Sequence, residues 1–188
     1  MKLPSDARAF LTRARARFNG EMDVAFYRAK GMRIGHDVQL GPGNRLDPSH
    51  AWMITIGDDV VFGPHVQVLA HDASMRRRLG YTLVRQTRIG SHCFIGSNAV
   101  IMPGVTIGDD VIIGAGSLVV DDVPSGSVAA GHPARVLTTT AEYEARHREL
   151  MAGSERRWCD DEPGRLPNDR EMRSMLEETA DGSPAWRA

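Results

Sequence analysis

The chain has 188 residues, enough for one domain of ordinary size with terminal extensions of some thirty to fifty residues. Its formal net charge of −1 offers no global field to nucleic acid or to an acidic membrane, and its 41% hydrophobic and 6% aromatic content predicts a core of small aliphatic side chains. Two cysteines, Cys93 and Cys159, make no disulfide framework, the N-terminus carries no signal-peptide core, and no apolar run approaches the roughly 18 residues that cross a bilayer, so a reduced, cytoplasmic chain is expected.

In chain order, residues 5 to 30 place Ala7, Phe10, Leu11, Ala14 and Phe18 at helical spacing with Arg8, Arg13, Arg15 and Arg17 between them. This amphipathic helix is expected to cap the open end of a repetitive domain on its C-terminal side, rather than to lie on a membrane. A period of six governs that domain, from residue 34 to about 137. From Ile89 it reads IGSHCF, IGSNAV, IMPGVT, IGDDVI, IGAGSL, VVDDVP; upstream the frame appears as IGHDVQ from Ile34, LGPGNR from Leu40, IGDDVV from Ile56, FGPHVQ from Phe62 and VLAHDA from Val68. Each block supplies an inward aliphatic, a small residue at a corner, and a second inward position held by Val38, Val60, Val66, Ala99, Val105, Val111, Ser117 and, in the last block, Val123. Asn98 and Asp110 suit corners that need positive φ. Three blocks close one triangular coil, and coils stack at strand spacing, about 4.8 Å.

Two interruptions break the frame. Ile34 to Ile56 is 22 residues, four more than three hexads, so Trp52 to Thr55 or their neighbours bulge. Val68 to Ile89 is 21, so roughly residues 72 to 86 leave the coil as a loop, and long excursions from a solenoid tend to carry function. The loop holds Arg76, Arg77 and Arg78, which either meet an anionic ligand or are simply solvated. Beyond Pro133, Ala141 to Met151 and Asp169 to Ala180 read as helices, separated by a Gly-, Pro- and charge-rich stretch. The expected organisation is an N-terminal helical cap over 1–30, an all-β helix over 31–137, and a helical tail over 138–188.

The hexads, together with GAGSLVVDDVPSGSVAAGHPARVL, resemble the hexapeptide-repeat acyltransferases, which fold as left-handed parallel β-helices, and within them the galactoside, maltose and polysaccharide O-acetyltransferases. The resemblance covers roughly residues 31 to 137. It implies a homotrimer with active sites between subunits, acetyl-CoA as co-substrate, no metal, and a small-molecule or saccharide acceptor. Left-handedness comes from the resemblance alone, because general crossover sterics favour the opposite hand.

His71, at the junction of the coil with the long loop, then stands where the family places the base that deprotonates the acceptor hydroxyl. Imidazole suits the work, since its ordinary pKa of about 6.5 leaves a neutral base at cytoplasmic pH. Asn44 lies near a family asparagine that contacts the acceptor or the oxyanion; a turn asparagine after Gly43 is the competing role. Asp72 points away from His71 on an extended chain, and Trp52 either borders the acceptor or packs. For the donor, Phe94 occupies the place of an aromatic beside the thioester arm, with a core aromatic as the alternative. Ser97 and Ala115 match positions whose backbone groups contact pantetheine, and Arg135 matches a basic residue at the nucleotide end. Two departures weaken the phosphate site: Asp121 stands where relatives often carry Lys, and Thr138 where a second basic residue sits. His132 replaces the usual Asn before Pro133, without an evident reason.

Other functions using this coil fit less well. A γ-type carbonic anhydrase needs three histidines on zinc, two of them five residues apart, whereas His65 and His71 are six apart and His92 belongs to the coil after the loop. A nucleotidyltransferase is not expected, with about thirty residues ahead of the repeat, and neither is a serine acetyltransferase, whose N-terminal helical domain is larger and whose His and Asp signatures are missing. An amino-sugar N-acetyltransferase requires the same base and donor, and a scaffold that has lost its chemistry would not need the His71 junction.

Overall fold

The computed structural model describes residues 23–152, 157–158, 169–180 and 186–187, and the chain divides into two compact units, 1–140 and 141–188. The stretch from Ala7 to Phe18 and Cys159 lie outside the described residues.

The first unit is a parallel β-helix with three sheets for its sides. The first sheet stacks β1 (Arg33–Ile34), β4 (Ile54–Ile56), β9 (Thr87–Ile89) and β12 (Thr106–Ile107). The second stacks β2 (Gln39–Leu40), β5 (Val61–Phe62), β10 (Phe94–Ile95), β13 (Ile112–Ile113) and β15 (Ser127–Gly131), with β16 (Ala134–Thr139) antiparallel at its edge. The third stacks β3 (Arg45–Leu46), β6 (Gln67–Val68), β11 (Val100–Ile101) and β14 (Leu118–Val119).

Each hexad contributes two residues of strand because only its first aliphatic and fifth residue face inward, and the rest turns a corner. The first residues form ladders from coil to coil. Ile34, Ile56, Ile89 and Ile107 stack in the first sheet, Leu40, Phe62, Ile95 and Ile113 in the second, and Leu46, Val68, Ile101 and Val119 in the third. Val60, Val66, Ala99, Val105, Val111 and Ser117 fill the fifth places and are buried. A fully buried aliphatic side chain is worth about 1.5–3 kcal/mol, so the thin core gains its strength by repetition.

Corners are held by residues with positive φ, among them His65, His92, Asn98 and Asp110 at φ 56–60°. Coils approach so closely there that a Cβ on Gly96 would lie 2.5 Å from the Ala115 nitrogen. No L side chain fits that gap.

The last block departs from the sequence frame. Val123 sits over Ile107, in the ladder of first residues, and not in a fifth place. The corner between Val119 and Val123 is therefore two residues shorter than its predecessors. Asp122 Oδ1 makes up for the lost backbone partner by accepting the Thr106 N–H at 2.7 Å.

At the N-terminal end, α1 (Val24–Ala29) buries Tyr27, whose hydroxyl accepts the Leu46 N–H at 3.0 Å. Burial is the main influence that pushes the Tyr27 phenol above its ordinary pKa. In the second unit, one helix begins at the boundary and spans Thr140–Ala152, and a further helix covers Asp169–Glu178, close to the two tail helices expected; Arg157–Trp158 pairs in parallel with Trp186–Arg187. Among the described residues no helix is long and apolar enough to cross a membrane.

Candidate functional site

Both interruptions of the repeat fall at one corner, where the chain passes from the third sheet to the first. The four extra residues lie between Leu46 and Ile54, where Asp47 leads through Pro48, Ser49 and His50 into a 3-10 turn, Ala51–Met53. One coil above, the loop leaves as a hairpin whose stem pairs β7 (His71–Asp72) with β8 (Leu83–Val84), His71 facing Val84. The stem closes with the Arg85 N–H on the Ala70 carbonyl at 2.9 Å, and buried Thr87 donates to the Leu69 carbonyl at 2.7 Å. His71 is thereby anchored at the root of the hairpin.

Because Leu46 and Val68 stack, the residues that come after them share this corner, and the Asp47 carboxylate accepts the His71 Nδ1 proton in a short hydrogen bond. The carboxylate is fully engaged. Oδ2 also accepts the Ala70 N–H at 3.2 Å, while Oδ1 accepts the Ser49 hydroxyl at 2.6 Å and the Ser49 and His50 N–H groups at 3.2 and 3.3 Å. Burial is the largest single influence on Asp47 and opposes ionisation, but the hydrogen bonds from Ser49, His71 and Ala70 together outweigh it and hold the carboxyl below its ordinary range. An ionised carboxylate only accepts, so Nδ1 carries the proton, and the Nε2 of a neutral His71 keeps its lone pair. The His71 side chain is 31% exposed, against 2% for Asp47. The arrangement is an imidazole oriented by a buried carboxylate and itself partly exposed.

His50 lies against His71 with ring centroids 4.6 Å apart and against Trp52 at 5.5 Å, so three rings run along the corner. Asp47, His50 and His71 each offer a donor atom within 4.8 Å of the others, the one such group among the described residues. These are the residues to which a cation could bind. His65 and His92 stand at the two other corners, so the coil brings neither to His71.

The remaining residues singled out in the sequence lie elsewhere on the coil. Asn44 is buried in a fifth place, where Oδ1 accepts the Val66 N–H at 2.8 Å and Nδ2 is without a partner. Its amide serves the coil interior, and the oxyanion role expected of it is not supported by its position. Phe94 points outward from the second sheet and is 46% exposed, which removes the core-aromatic alternative. Ser97 and Ala115 sit just beyond it, at the corner between the second and third sheets. Within one chain none of the three reaches the His71 corner, because the second sheet is the side opposite it. Arg135 Nη1 pairs with Asp121 Oδ2 at 3.1 Å on the surface, so the aspartate that departs from the resembled pattern takes up the guanidinium expected to meet phosphate. Asp72 accepts the Ser74 N–H at 2.8 Å and takes no part in the pair.

Asp47 and His50 are absent from the site residues that the sequence suggests, though their signal is present in it. Stacking the hexads three to a coil sets Leu46 under Val68, and so brings LDPSH beside LAHD.

The family model for bacterial transferase hexapeptide repeats matches residues 86–121. Galactoside O-acetyltransferase of Escherichia coli is 45% identical over 89 residues, which cover 46% of this chain and 44% of that protein. A solved structure of galactoside acetyltransferase in complex with coenzyme A is 30% identical, covering 60% of this chain and 67% of the other, with a TM-score of 0.48. Residues 86–121 thus carry the transferase hexapeptide repeat, and the chain is similar to acetyltransferases built on it. A maltose O-acetyltransferase from Clostridium difficile 630 is similar in structure as well, with a TM-score of 0.51 at 27% identity, covering 70% of this chain and 85% of that one. The chain spans about half the length of the E. coli relative that it matches.

Proposed function

We propose that this chain is a hexapeptide-repeat, acetyl-CoA-dependent O-acetyltransferase acting on a sugar hydroxyl, with His71 as general base and Asp47 as its positioning carboxylate. The observation that carries the reading is the Asp47–His71 pair at the root of the hairpin, in which Nδ1 is engaged and the imidazole is partly exposed. Nε2 takes the hydroxyl proton as the oxygen attacks the thioester carbonyl. A C–O bond forms, the C–S bond breaks, and the proton passes to the departing thiolate. General base catalysis of this kind is worth about 10²–10⁴-fold.

Support for the acceptor class comes from the similarity to the galactoside and maltose O-acetyltransferases, proteins named for acetyl transfer to sugars. The donor groove is assigned to the second sheet and its corner with the third, where Phe94, Ser97 and Ala115 leave an outward face with backbone close to the surface. Since that face lies opposite His71, a base from one chain and a donor groove from another fit a homotrimer with sites between subunits. Left-handed winding belongs to the same reading, and α1 with the buried Tyr27 is taken as the cap of the first coil.

The test is release of free coenzyme A thiol from acetyl-CoA across mono- and oligosaccharides, with the product checked for an ester that hydroxylamine cleaves. Acceptor-dependent release and a labile ester are expected; an amide product would move the assignment to amino sugars. Metal content of the same preparation is a second readout. Stoichiometric zinc on Asp47, His50 and His71 would end the acyltransferase mechanism proposed for His71.

A further inference from the structure

We infer that Trp52 is the platform on which the acceptor's sugar ring stacks, with His50 continuing that surface to the base. This rests on the reading of His71 as the base for transfer to a hydroxyl. Three observations support it.

The first is exposure. Trp52 is 55% exposed, while Ala51 and Ile54 on either side of it are completely buried. The turn is thus anchored by its neighbours and holds the indole outside the coil. Gly31 lies beneath it, where an added Cβ would come within 3.3 Å of the Trp52 Cβ, so the root of the side chain rests on bare backbone. An indole left in water forfeits most of the free energy that its burial would supply, and a turn closed by Ala51 and Ile54 has no need of one.

The second is direction. Trp52, His50 and His71 form a row of rings, with centroid spacings of 5.5 and 4.6 Å and interplanar angles of 47° and 37°. His50 is held in that row from two sides: its N–H donates to Asp47 Oδ1 at 3.3 Å, and its Nδ1 lies 3.2 Å from the Ser49 hydroxyl. The row therefore ends on the imidazole whose Nε2 is free to accept a proton.

The third is chemical fit. A ligand on this surface needs an apolar face to cover the indole and hydroxyls that project from its rim along His50 toward His71. A pyranose has both, since its axial C–H groups make an apolar face and its equatorial hydroxyls project from the edge. A linear polyol has the hydroxyls without the face. The insertion after Leu46 thus serves twice, supplying Asp47 behind the base and, next to His50, the indole of Trp52.

The experiment compares wild type with Trp52→Ala and Trp52→Phe, using acetyl-CoA with methyl glucopyranoside, methyl galactopyranoside or glycerol. Trp52→Ala is expected to raise KM for the better pyranoside at least about tenfold with little change in kcat, and to lower the kcat/KM preference for pyranoside over glycerol by a similar factor. Trp52→Phe should recover most of both, because a smaller ring still stacks. Pyranoside KM unchanged in Trp52→Ala would overturn the inference, as would an equal loss for pyranoside and glycerol, which would mark Trp52 as structural. Wild type that transfers to no hydroxyl would overturn the function proposed for His71 as well, and that result needs no variant. Saccharide titration of tryptophan fluorescence without acetyl-CoA gives a second readout: a change in wild type that Trp52→Ala abolishes is expected, and its persistence would contradict the assignment.

Discussion

Asp47 and His71 are 24 residues apart in sequence and joined by a hydrogen bond in space, because Leu46 and Val68 stack and the coil sets the residues after each at one corner. In the proposed mechanism the buried carboxylate orients and the partly exposed imidazole transfers the proton. Removing the charge while keeping the shape separates the two. In Asp47→Asn, an amide replaces an acceptor-only group, so the protonated nitrogen of His71 is no longer specified. We expect kcat to fall roughly 10²-fold with the KM for acetyl-CoA nearly unchanged, measured by steady-state thiol release. Equal damage to both constants would point to a general loss of structure instead.

Asp47 also couples stability to pH. Its carboxyl is held below the ordinary value, about 3.9, so the folded chain binds fewer protons there than the unfolded one. The resulting stabilisation is complete above roughly pH 4 and is lost as the pH falls through the folded value. The gap in melting temperature between wild type and Asp47→Asn should therefore narrow between pH 6 and pH 3. A gap independent of pH would mean that the carboxylate is not selectively stabilised by the fold.

Much of this is legible in the sequence, and the reasons lie in particular residues. The inward ladders come from the hexads because Ile56, Ile89 and Ile107 have no alternative to a shared interior position. Asn98 and Asp110 turn corners at positive φ as their side-chain chemistry suggests. The hexad frame puts Val123 on the wrong rung, since VVDDVP offers an aliphatic at either position and only the Asp122–Thr106 bond reveals the shortened corner. Asp47 escapes notice in the sequence because LDPSH looks like an ordinary aspartate turn; its role depends on a contact one coil away.

The glycine corners give a graded test of stability. A Cβ at Gly96 would meet backbone at 2.5–2.7 Å, and backbone of the next coil cannot swing aside. Gly96→Ala should destabilise by roughly 1–3 kcal/mol or more, as overpacking does. Gly80, at φ +78° on the exposed hairpin, meets nothing within 4 Å, so Gly80→Ala should cost only about 1 kcal/mol of backbone strain. Thermal melts of the two variants are expected to rank in that order.

Cys93 occupies a fifth place, 2% exposed, and its thiol lies 3.1 Å from the Gly108 carbonyl. Burial, aided by the carboxylates of Asp109 and Asp110, pushes its pKa up to about 11. Alkylation at pH 8, mapped by peptide mass, should therefore leave Cys93 unmodified until denaturant opens the coil. Rapid labelling of the native protein would contradict a closed interior at that position.

The most direct measurement is acetyl transfer by His71→Ala beside wild type, with acetyl-CoA binding followed in parallel by calorimetry. A loss in kcat of at least about 10²-fold with the coenzyme affinity retained is the result expected if His71 is the base. Turnover equal to wild type in the variant would contradict it.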